Sequence, residues 1–404
     1  MKTVAIIAEY NPFHSGHKYQ IDEIRKEFGI DTRIIAIMSG GYTQRAEIAL
    51  APKQLRAKWA VDCGVNLVLE LPFPYSMSSA ELFAKAGVTI ADKLGVVDVL
   101  SFGSESGDCD ELYSIAKNML SPEFSEELGR ISSDDSYSSL GYPKLVDIAY
   151  RSLYSASSAD ISLPNNILAI EYIKAIFCIG SKIKPHTVKR FGAGYNESEI
   201  SPTDRHQSAT AIRSSILAGE KPDAEYLPAN IASEIEDGIK NGVLPLDEER
   251  LSSAIISHFL LNNRSARKIH DADGGLYNRI AAKSREATSI SSLCELSQTK
   301  KYTSARIRRA IWFSFFGVTS SDVKSAPRLT RVLAADEIGR QLLKEIKKIN
   351  GISVITKPTA EDGLTEDERA AKLLSDKADL VLQLAMPKKA SPADALRVSP
   401  HIKK

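Results

Sequence analysis

Two histidines flanking a serine and a glycine, His14-Ser15-Gly16-His17, follow an apolar run near the start of this 404-residue chain. The run, residues 4–8, is continuous rather than alternating, which predicts a strand buried on both faces of a parallel sheet. Asn11-Pro12 interrupts the run, and apolar residues between Ile21 and Phe28 then recur at helical spacing. The histidines therefore stand where a strand ends and a helix begins.

This position suits the binding of an anion. A helix N-terminus offers free backbone N–H groups and the positive end of the helix dipole. Gly16 allows a close approach of the backbone, and His14 and His17 can hydrogen-bond or neutralise phosphate oxygens. The alternative is that both are ordinary surface histidines near a helix cap.

A second helix start carries hydroxyls and a cation in Ser208-Ala209-Thr210-Ala211-Ile212-Arg213. It lies about two hundred residues after the histidines, yet both segments can converge at the carboxyl edge of a doubly wound sheet. Two such anion sites suit in-line attack on the α-phosphate of ATP, with pyrophosphate leaving. In that reaction the protein contributes mainly positioning and charge stabilisation.

Strand-like and helical segments alternate through the first half of the chain. Further strands are predicted at residues 32–38, 64–72, 96–102 and 184–190, with helices between them. The alternation predicts an α/β fold with a Rossmann-like parallel sheet and right-handed crossovers.

Polar residues flank several of these elements. Arg45 could reach a phosphate or a carboxylate, or could be a solvated loop residue. Asn165 and Asn166 begin a helix, where they could cap it or present amides to a ribose or an adenine edge. Arg190 ends a strand, in a position to meet a phosphate.

The second half of the chain is predicted to be mainly helical. Helices are expected at residues 251–261, 276–287, 290–297, 304–316 and 366–384, with short strands at 327–333 and 352–357 and a loose basic tail at 387–404. At this length two domains are expected. We place a catalytic domain at residues 1–225 and a mainly α-helical C-terminal domain at residues 226–404.

The charge is distributed unevenly. Residues 1–249 hold 24 Lys and Arg against 35 Asp and Glu, a net charge of −11, whereas residues 250–404 hold 28 against 16, a net charge of +12. An acidic half joined to a basic half suggests that only one of them meets a polyanion, although a basic face can also be merely solvated. Within the basic half, Arg306, Arg308 and Arg309 precede an aromatic run and could track a phosphate backbone, or could form a solvated helix face.

The composition excludes several classes of protein. With 43% hydrophobic and 25% charged residues it is typical of a soluble globular protein, and no apolar stretch is long enough to span a membrane. Four separated cysteines without a C-x-x-C pair favour a reducing cytoplasm over disulfides or structural zinc. The Walker and G-x-S-x-G patterns are both missing from the sequence.

The motif His14-x-Gly16-His17 resembles the H-x-G-H signature of the nucleotidylyltransferase superfamily. The longer stretch of residues 8–17 resembles, more narrowly, the bacterial tRNA(Met) cytidine acetate ligases, as do residues 102–105, 164–168, 190–195 and 208–213. The resemblance implies an enzyme that uses ATP and acetate to form acetyl-adenylate. The acetyl group would then pass to the exocyclic N4 amine of the wobble cytidine in elongator tRNA(Met), forming N4-acetylcytidine.

The resemblance also implies a set of ATP-binding residues. The set comprises Ile7, Ala8, Glu9, Tyr10, Asn11, Pro12, Phe13, His14, Ser15, Gly16, His17, Lys18, Tyr19, Gln20, Gly103, Arg190 and either Asn165 or Asn166. The loop that follows the second strand departs from the family pattern, which we expect to read close to S-G-N-F-x-Q-R-G. Here Gly41 replaces the amide and Ala46 replaces the last glycine.

The expected catalytic residues are His14, His17, Lys18, Thr210 and Arg213. Lys18 is the candidate for holding acetate, since a small carboxylate needs only a cation or a few N–H groups near the α-phosphate. Mg²⁺ is expected to accompany ATP, with no protein-held metal. We expect tRNA and acetate as partners, with no membrane and no obligate protein partner.

Two other functions agree with parts of the sequence. A nucleotidylyltransferase that makes a dinucleotide cofactor would explain the first half but not the basic helical second half. A non-catalytic RNA-binding protein with a vestigial nucleotide fold would explain the second half. Intact His14, His17, Thr210 and Arg213 count against that second alternative.

Overall fold

The computed structural model describes residues 1–137, 140–154, 159–190, 209–221, 223, 225–261, 268–273, 275–299 and 302–403. Ser208 and residues 191–195, which the sequence analysis singled out, lie outside this part of the chain. None of the described helices is long and apolar enough to cross a membrane.

One eight-stranded sheet runs through the described residues. Its strands are β1 (Thr3–Ala8), β2 (Arg33–Ser39), β3 (Leu67–Leu71), β4 (Val99–Ser104), β5 (Lys184–Lys189), β6 (Leu329–Ala335), β7 (Ser353–Ile355) and β8 (His401–Ile402). The order is β5-β4-β1-β2-β3-β6-β7, with β8 beside β6. Strands β1 to β5 are mutually parallel, whereas β6 is antiparallel to β3. The predicted Rossmann-like α/β fold is confirmed.

The chain reverses its direction of strand addition at β1. It adds β2 and β3 on one side of β1 and then returns to add β4 and β5 on the other side. The carboxyl ends of β1 and β4 therefore border a crevice, the usual ligand-binding position in an open α/β sheet. The His14–His17 segment directly follows β1 at this crevice.

The described helices lie on both faces of this sheet and beyond its carboxyl edge. They are α1 (Ser15–Phe28), α2 (Lys53–Asp62), α3 (Ala80–Leu94), α4 (Cys109–Met119), α5 (Pro122–Ser133), α6 (Tyr142–Leu153), α7 (Pro164–Ile179), α8 (Ala209–Leu217), α9 (Ala229–Lys240), α10 (Ser252–Leu261), α11 (Leu276–Lys283), α12 (Ile290–Ser297), α13 (Ser304–Phe316), α14 (Ser320–Lys324), α15 (Glu337–Ile349) and α16 (Glu366–Leu382).

Successive residues of β1 face two different cores. Ala5 and Ile7 pack with α3, α4, α7 and α15, while Val4 and Ile6 pack with α1, α2, α8 and α9. Burial on both faces explains why the strand reads as a continuous apolar run.

The C-terminal helices form a third core. Residues of α10 to α13 and of α16 pack together with Tyr42, Ala46 and Phe73, which lie in the loops after β2 and β3. Tyr42 Oη donates to the backbone oxygen of Ala378 in α16 at 3.0 Å. The helical half is thus packed against the loops that follow two of the parallel strands.

Part of the second half of the chain completes the sheet. Strands β6, β7 and β8 lie within residues 226–404, although the sequence suggested only short strands between helices there. The tail was predicted to be loose, and that prediction is wrong. Ala334 and Ala335 of β6 pair with His401 and Ile402, because the tail supplies a strand to a sheet edge. The domain boundary at residue 225 stays a prediction.

Six buried charged side chains join β3 and β6 to α2 and α16. Lys53 Nζ lies 2.6 Å from carboxylate oxygens of both Glu70 and Asp379. Arg331 contacts Asp379 at 3.1 Å and also pairs with Asp376, which in turn contacts Lys372 at 2.7 Å. Three cations face three anions, so the cluster is neutral, and burial raises the pKa of Asp379 despite Lys53 nearby.

Replacing Lys53 with methionine would leave Glu70 and Asp379 buried with less compensation. We expect Lys53→Met to lower the free energy of unfolding by about 3–5 kcal/mol, because breaking a buried ion pair strands a charge. Urea denaturation measures this change. Lys26→Met is the matched control, since Lys26 is exposed and pairs with Glu23 on α1, where about 0–1 kcal/mol is expected. Equal losses in the two variants would contradict this role of Lys53.

Candidate active site

The first turn of α1 is capped by its own histidines. His14 is the N-cap residue, and its Nδ1 accepts a hydrogen bond from the backbone N–H of Gly16 at 3.0 Å. Reciprocally, His17 Nδ1 accepts from the backbone N–H of His14 at 3.2 Å. This is a capping box with histidine in both roles. A neutral ring that accepts at Nδ1 carries its proton on Nε2, so both rings are Nε2–H donors.

Aromatic packing keeps the second histidine neutral. The His17 ring lies 3.9 Å from that of His14, 4.9 Å from that of Tyr10 and 5.4 Å from that of Phe13, measured between centroids. Burial lowers the pKa of His17 well below its usual 6.5, and His14 and Arg190 lower it further. His17 is therefore a neutral hydrogen-bond donor at neutral pH.

The second predicted anion site meets the first through Arg213. Its guanidinium donates to the backbone oxygen of Asn11 at 3.0 Å and to Thr210 Oγ1 at 3.2 Å. It also lies 3.5 Å from Glu47, and its side chain is only 15% exposed. The start of α8 and the loop after β1 are thus in contact, as the sequence analysis expected.

These segments border a cavity of about 580 Å³. Thirteen of the residues singled out as catalytic or ATP-binding line it, namely Ile7, Ala8, Glu9, Tyr10, Asn11, His14, His17, Gln20, Gly103, Asn165, Arg190, Thr210 and Arg213. Seven others do not line it: Pro12, Phe13, Ser15, Gly16, Lys18, Tyr19 and Asn166. Phe13 is fully buried and packs against the rings that do reach the cavity.

The sequence analysis missed an apolar wall of this cavity. Phe83, Phe102, Leu168 and Tyr172 line it, and the rings of Phe102 and Tyr172 lie 5.6 Å apart. In sequence these residues fit the apolar faces of their helix or strand, so they look like ordinary core residues. Only the absence of packing partners on one side distinguishes them, and that is a property of the tertiary structure.

The adjacent asparagines have different environments. Asn166 is 1% exposed, and its Oδ1 accepts the backbone N–H groups of Glu105 and Ser106 at 3.0 and 3.2 Å. Glu105 returns the contact by accepting the backbone N–H groups of both asparagines at the start of α7. Asn165 lines the cavity, so it is the better placed of the two to meet a ligand.

Gly103 allows close packing against Arg190. A Cβ atom there would lie 3.2 Å from Cγ of Arg190, whose backbone N–H donates to the oxygen of Ser104 at 2.9 Å. Burial lowers the pKa of Arg190 below its usual value while the nearby Glu105 raises it, so the side chain remains a cation. The glycine therefore lets this cation lie over β4 beside the cavity.

The comparisons with known proteins agree with this geometry. Residues 1–395 match the model of the HIGH Nucleotidyl Transferase family. The tRNA(Met) cytidine acetate ligase of Thermosipho africanus is 35% identical over 375 residues, which cover 91% of this chain and 87% of that protein. The ligase of Caldanaerobacter subterraneus subsp. tengcongensis is 35% identical over 374 residues, covering 91% and 92%. The chain belongs to this ligase family.

Solved structures show the same fold. Thermotoga maritima TmcAL bound with alpha-thio ATP has a TM-score of 0.88 and 29% identity, with 100% of this chain and 99% of that chain covered. The apo form of the same protein has a TM-score of 0.89 and 28% identity over the same shares. The family resemblance and the fold class expected from the sequence are both confirmed.

The loop in which the sequence departs from the family pattern packs tightly. A Cβ atom at Gly41 would lie 2.0 Å from a methyl group of Leu382 in α16, so a larger residue there would require Leu382 to shift. Ala46 is buried with a φ of 62°, a conformation that favours glycine. At Gly41 the side chain of Leu382 packs against the glycine, whereas at Ala46 a residue with a Cβ atom adopts a strained backbone conformation.

Lys18 does not line the cavity. It lies on α1, where its Nζ pairs with Asp22 and its side chain is 41% exposed. The cations that line the cavity are Arg45, Arg190 and Arg213. The acetate role of Lys18 stays a prediction, but these three arginines are closer to the cavity space.

The three arginines expected to meet tRNA all pair within the protein. Arg308 pairs with Glu248 and donates to the oxygen of Ala46 at 3.1 Å, with its side chain 13% exposed. Arg309 lies 2.6 Å from Asp271 and is 11% exposed, and Arg306 pairs with Asp273 at 33% exposure. Arg306 is thus the most accessible of the three, while Arg308 supports the loop that ends at Ala46. A tRNA-binding role for them stays a prediction.

No group of three or more His, Cys, Asp or Glu in the described part of the chain could hold a metal ion. A Mg²⁺ ion therefore finds no protein cage among these residues. The cysteines at positions 63, 109, 178 and 294 are all free thiols.

The two asparagines offer a test of which contacts ATP. We expect Asn165→Ala to weaken ATP binding about 3- to 10-fold, as for the loss of one hydrogen bond of about 0.5–1.5 kcal/mol. Asn166→Ala should instead lower the free energy of unfolding by about 1–3 kcal/mol, because it leaves buried N–H groups unpaired. Calorimetric titration and urea denaturation measure the two effects. If Asn166→Ala folds stably but weakens ATP binding more than Asn165→Ala does, the assignment is reversed.

The neutral state of His17 predicts a pH effect. The unfolded chain takes up a proton at this residue below pH 6.5, whereas the folded protein does not, so folding stability falls as pH decreases through 6.5. Between pH 7.5 and 5.5 the wild type should lose about 1.4 kcal/mol more than His17→Gln, which keeps the capping box without a titrating ring. Denaturation at the two pH values measures the difference, and equal losses would refute it.

Proposed function

We propose that this protein is a tRNA(Met) cytidine acetate ligase that works in two steps, acetate activation by ATP followed by acetyl transfer to the wobble cytidine of elongator tRNA(Met). The observation that carries the proposal is the convergence of the His14–His17 capping box and Arg213 on one cavity. Membership in the ligase family supplies the substrates, and the ATP analogue is bound in a protein of the same fold.

In the first step a carboxylate oxygen of acetate attacks the α-phosphorus of ATP. A bond forms between these atoms, the bond between the α-phosphorus and the α,β-bridging oxygen breaks, pyrophosphate leaves, and acetyl-adenylate results. The Nε2–H donors of His14 and His17 and the guanidinium of Arg213 would stabilise the charge that develops on the phosphates. Neutral histidine donors suit this task, because they need not lose a proton during the reaction.

Few protein groups are needed to bind acetate. Its carboxylate must approach an ATP polyanion, so a cation beside the α-phosphate would reduce repulsion. Arg45 and Arg213 line the cavity and are better placed than Lys18 for this role. Mg²⁺ would enter with ATP, bound by the phosphates rather than by a protein cage.

The second step needs activation because an exocyclic cytidine amine is a weak nucleophile. The mixed anhydride supplies a reactive acetyl group, and a base in an anticodon loop leaves its stack more easily than one in a duplex. We propose that residues 226–404, with their net positive charge, bind the body of the tRNA by phosphate contacts, with Arg306 a candidate contact. A tRNA substrate and four free thiols both fit a cytoplasmic enzyme.

One assay separates this function from its two rivals. The protein is incubated with ATP and labelled acetate, with and without an elongator tRNA(Met) transcript. We expect label in the tRNA at the wobble cytidine, together with AMP and pyrophosphate. Formation of a dinucleotide from ATP and a mononucleotide would favour a cofactor-making nucleotidylyltransferase. Tight tRNA binding without any turnover would favour a non-catalytic RNA-binding protein.

A further inference from the structure

Two carboxylates line a cavity whose other charged side chains are arginines. They belong to Glu9 and Glu47. A carboxylate opposes the binding of a polyanion such as ATP, so its presence calls for another use. Glu47 lies 3.5 Å from Arg213 and its side chain is 41% exposed, so it is paired and solvated. Glu9 is not explained in this way.

Glu9 is held firmly at the end of β1. Its Oε1 accepts the backbone N–H of Gln44 at 2.7 Å. Its own backbone oxygen accepts a hydrogen bond from the buried Arg56. In the described part of the chain, no residue donates a hydrogen bond to Oε2. One oxygen thus fixes the carboxylate, while the other remains for a ligand in the cavity.

The electrostatic surroundings leave Glu9 able to exchange a proton. Burial raises its pKa, and this outweighs the hydrogen bond from Gln44 and the charges of Arg213, Arg45 and Arg56, which lower it. Burial and the charge of Glu9 raise the pKa of Tyr172, which lines the same cavity. A carboxylate whose pKa lies closer to neutrality than usual is a better general base.

Other ionisable groups of the cavity are poorly suited to accept a proton. His14 and His17 use their Nδ1 atoms to accept backbone N–H groups, so their Nε2 atoms already carry protons. The three lining arginines are cations. Glu47 is engaged by Arg213. Tyr10 and Tyr172 keep their protons, because burial raises the pKa of both. Among the described residues that line the cavity, Glu9 is the ionisable group that remains.

We propose that Glu9 is the general base of the acetyl-transfer step, an inference that rests on the proposed function. The cytidine amine nitrogen attacks the acetyl carbonyl carbon of acetyl-adenylate, a C–N bond forms, and the C–O bond to the phosphate breaks as AMP leaves with its electron pair. One N–H proton passes from the amine to the Glu9 carboxylate. Acetate activation needs no such base, because acetate is already deprotonated when it attacks ATP.

The two steps can be measured separately in Glu9→Gln, which keeps the hydrogen bond to Gln44 and the size of the side chain. Acetate-dependent exchange of labelled pyrophosphate into ATP reports the first step, and we expect it to stay within about threefold of the wild type. Single-turnover transfer from synthetic acetyl-adenylate to the elongator tRNA(Met) transcript reports the second. We expect that rate to fall about 10²-fold or more, with loss of the acidic limb of its pH profile.

Matched variants and the contrary results complete the design. Glu23→Gln, a carboxylate of α1 outside the cavity, should leave both rates unchanged, and Glu9→Asp should restore part of the transfer rate. Unchanged transfer in Glu9→Gln would overturn the proposal, as would an equal fall in both steps, which indicates a role in ATP binding or folding. If the wild type itself shows neither exchange nor transfer, the proposed function fails rather than the role of Glu9.

Discussion

A single buried guanidinium holds the carboxyl edge of the sheet together. Arg56 is fully buried, and it donates to the backbone oxygens of Glu9, Ser39, Gly40 and Ala51. Burying a charge costs several kcal/mol unless such partners replace water. Burial lowers its pKa to about 10, so it stays protonated at neutral pH. The ends of β1 and β2 are thereby fixed, and the His14–His17 segment and the loop of residues 40–46 start from these two ends.

Hydrogen bonds with the backbone also determine the protonation state of His14 and His17. Because each Nδ1 accepts an N–H of the first turn of α1, both rings present Nε2–H without being charged. Positive charge comes instead from Arg213 and Arg190, which approach from elements distant in sequence. The phosphates would therefore meet fixed donors and permanent cations, an arrangement whose charge does not vary near neutral pH.

The helical half of the chain is coupled to the cavity through one loop. Residues 40–46 run from the end of β2 past Leu382 of α16. Arg308 of α13 donates a hydrogen bond to the backbone oxygen of Ala46 in this loop. Gln44 in this loop donates to Glu9. The helical half and the cavity are thus joined by hydrogen bonds and packing through this loop.

The sequence by itself determined the local structure: the periods of strands and helices, the strand-to-helix junction at His14–His17, and the second helix start at Thr210 and Arg213. These follow from side-chain patterning and backbone capping, which depend on neighbours along the chain. The tertiary structure alone decided which charges are free. Arg308 and Arg309 read as an exposed basic face, yet each pairs with a carboxylate remote in sequence. Arg56 and Glu9 acquire their roles in the same way. The role of a charged side chain depends on its partners, and only folding brings these within a few ångströms.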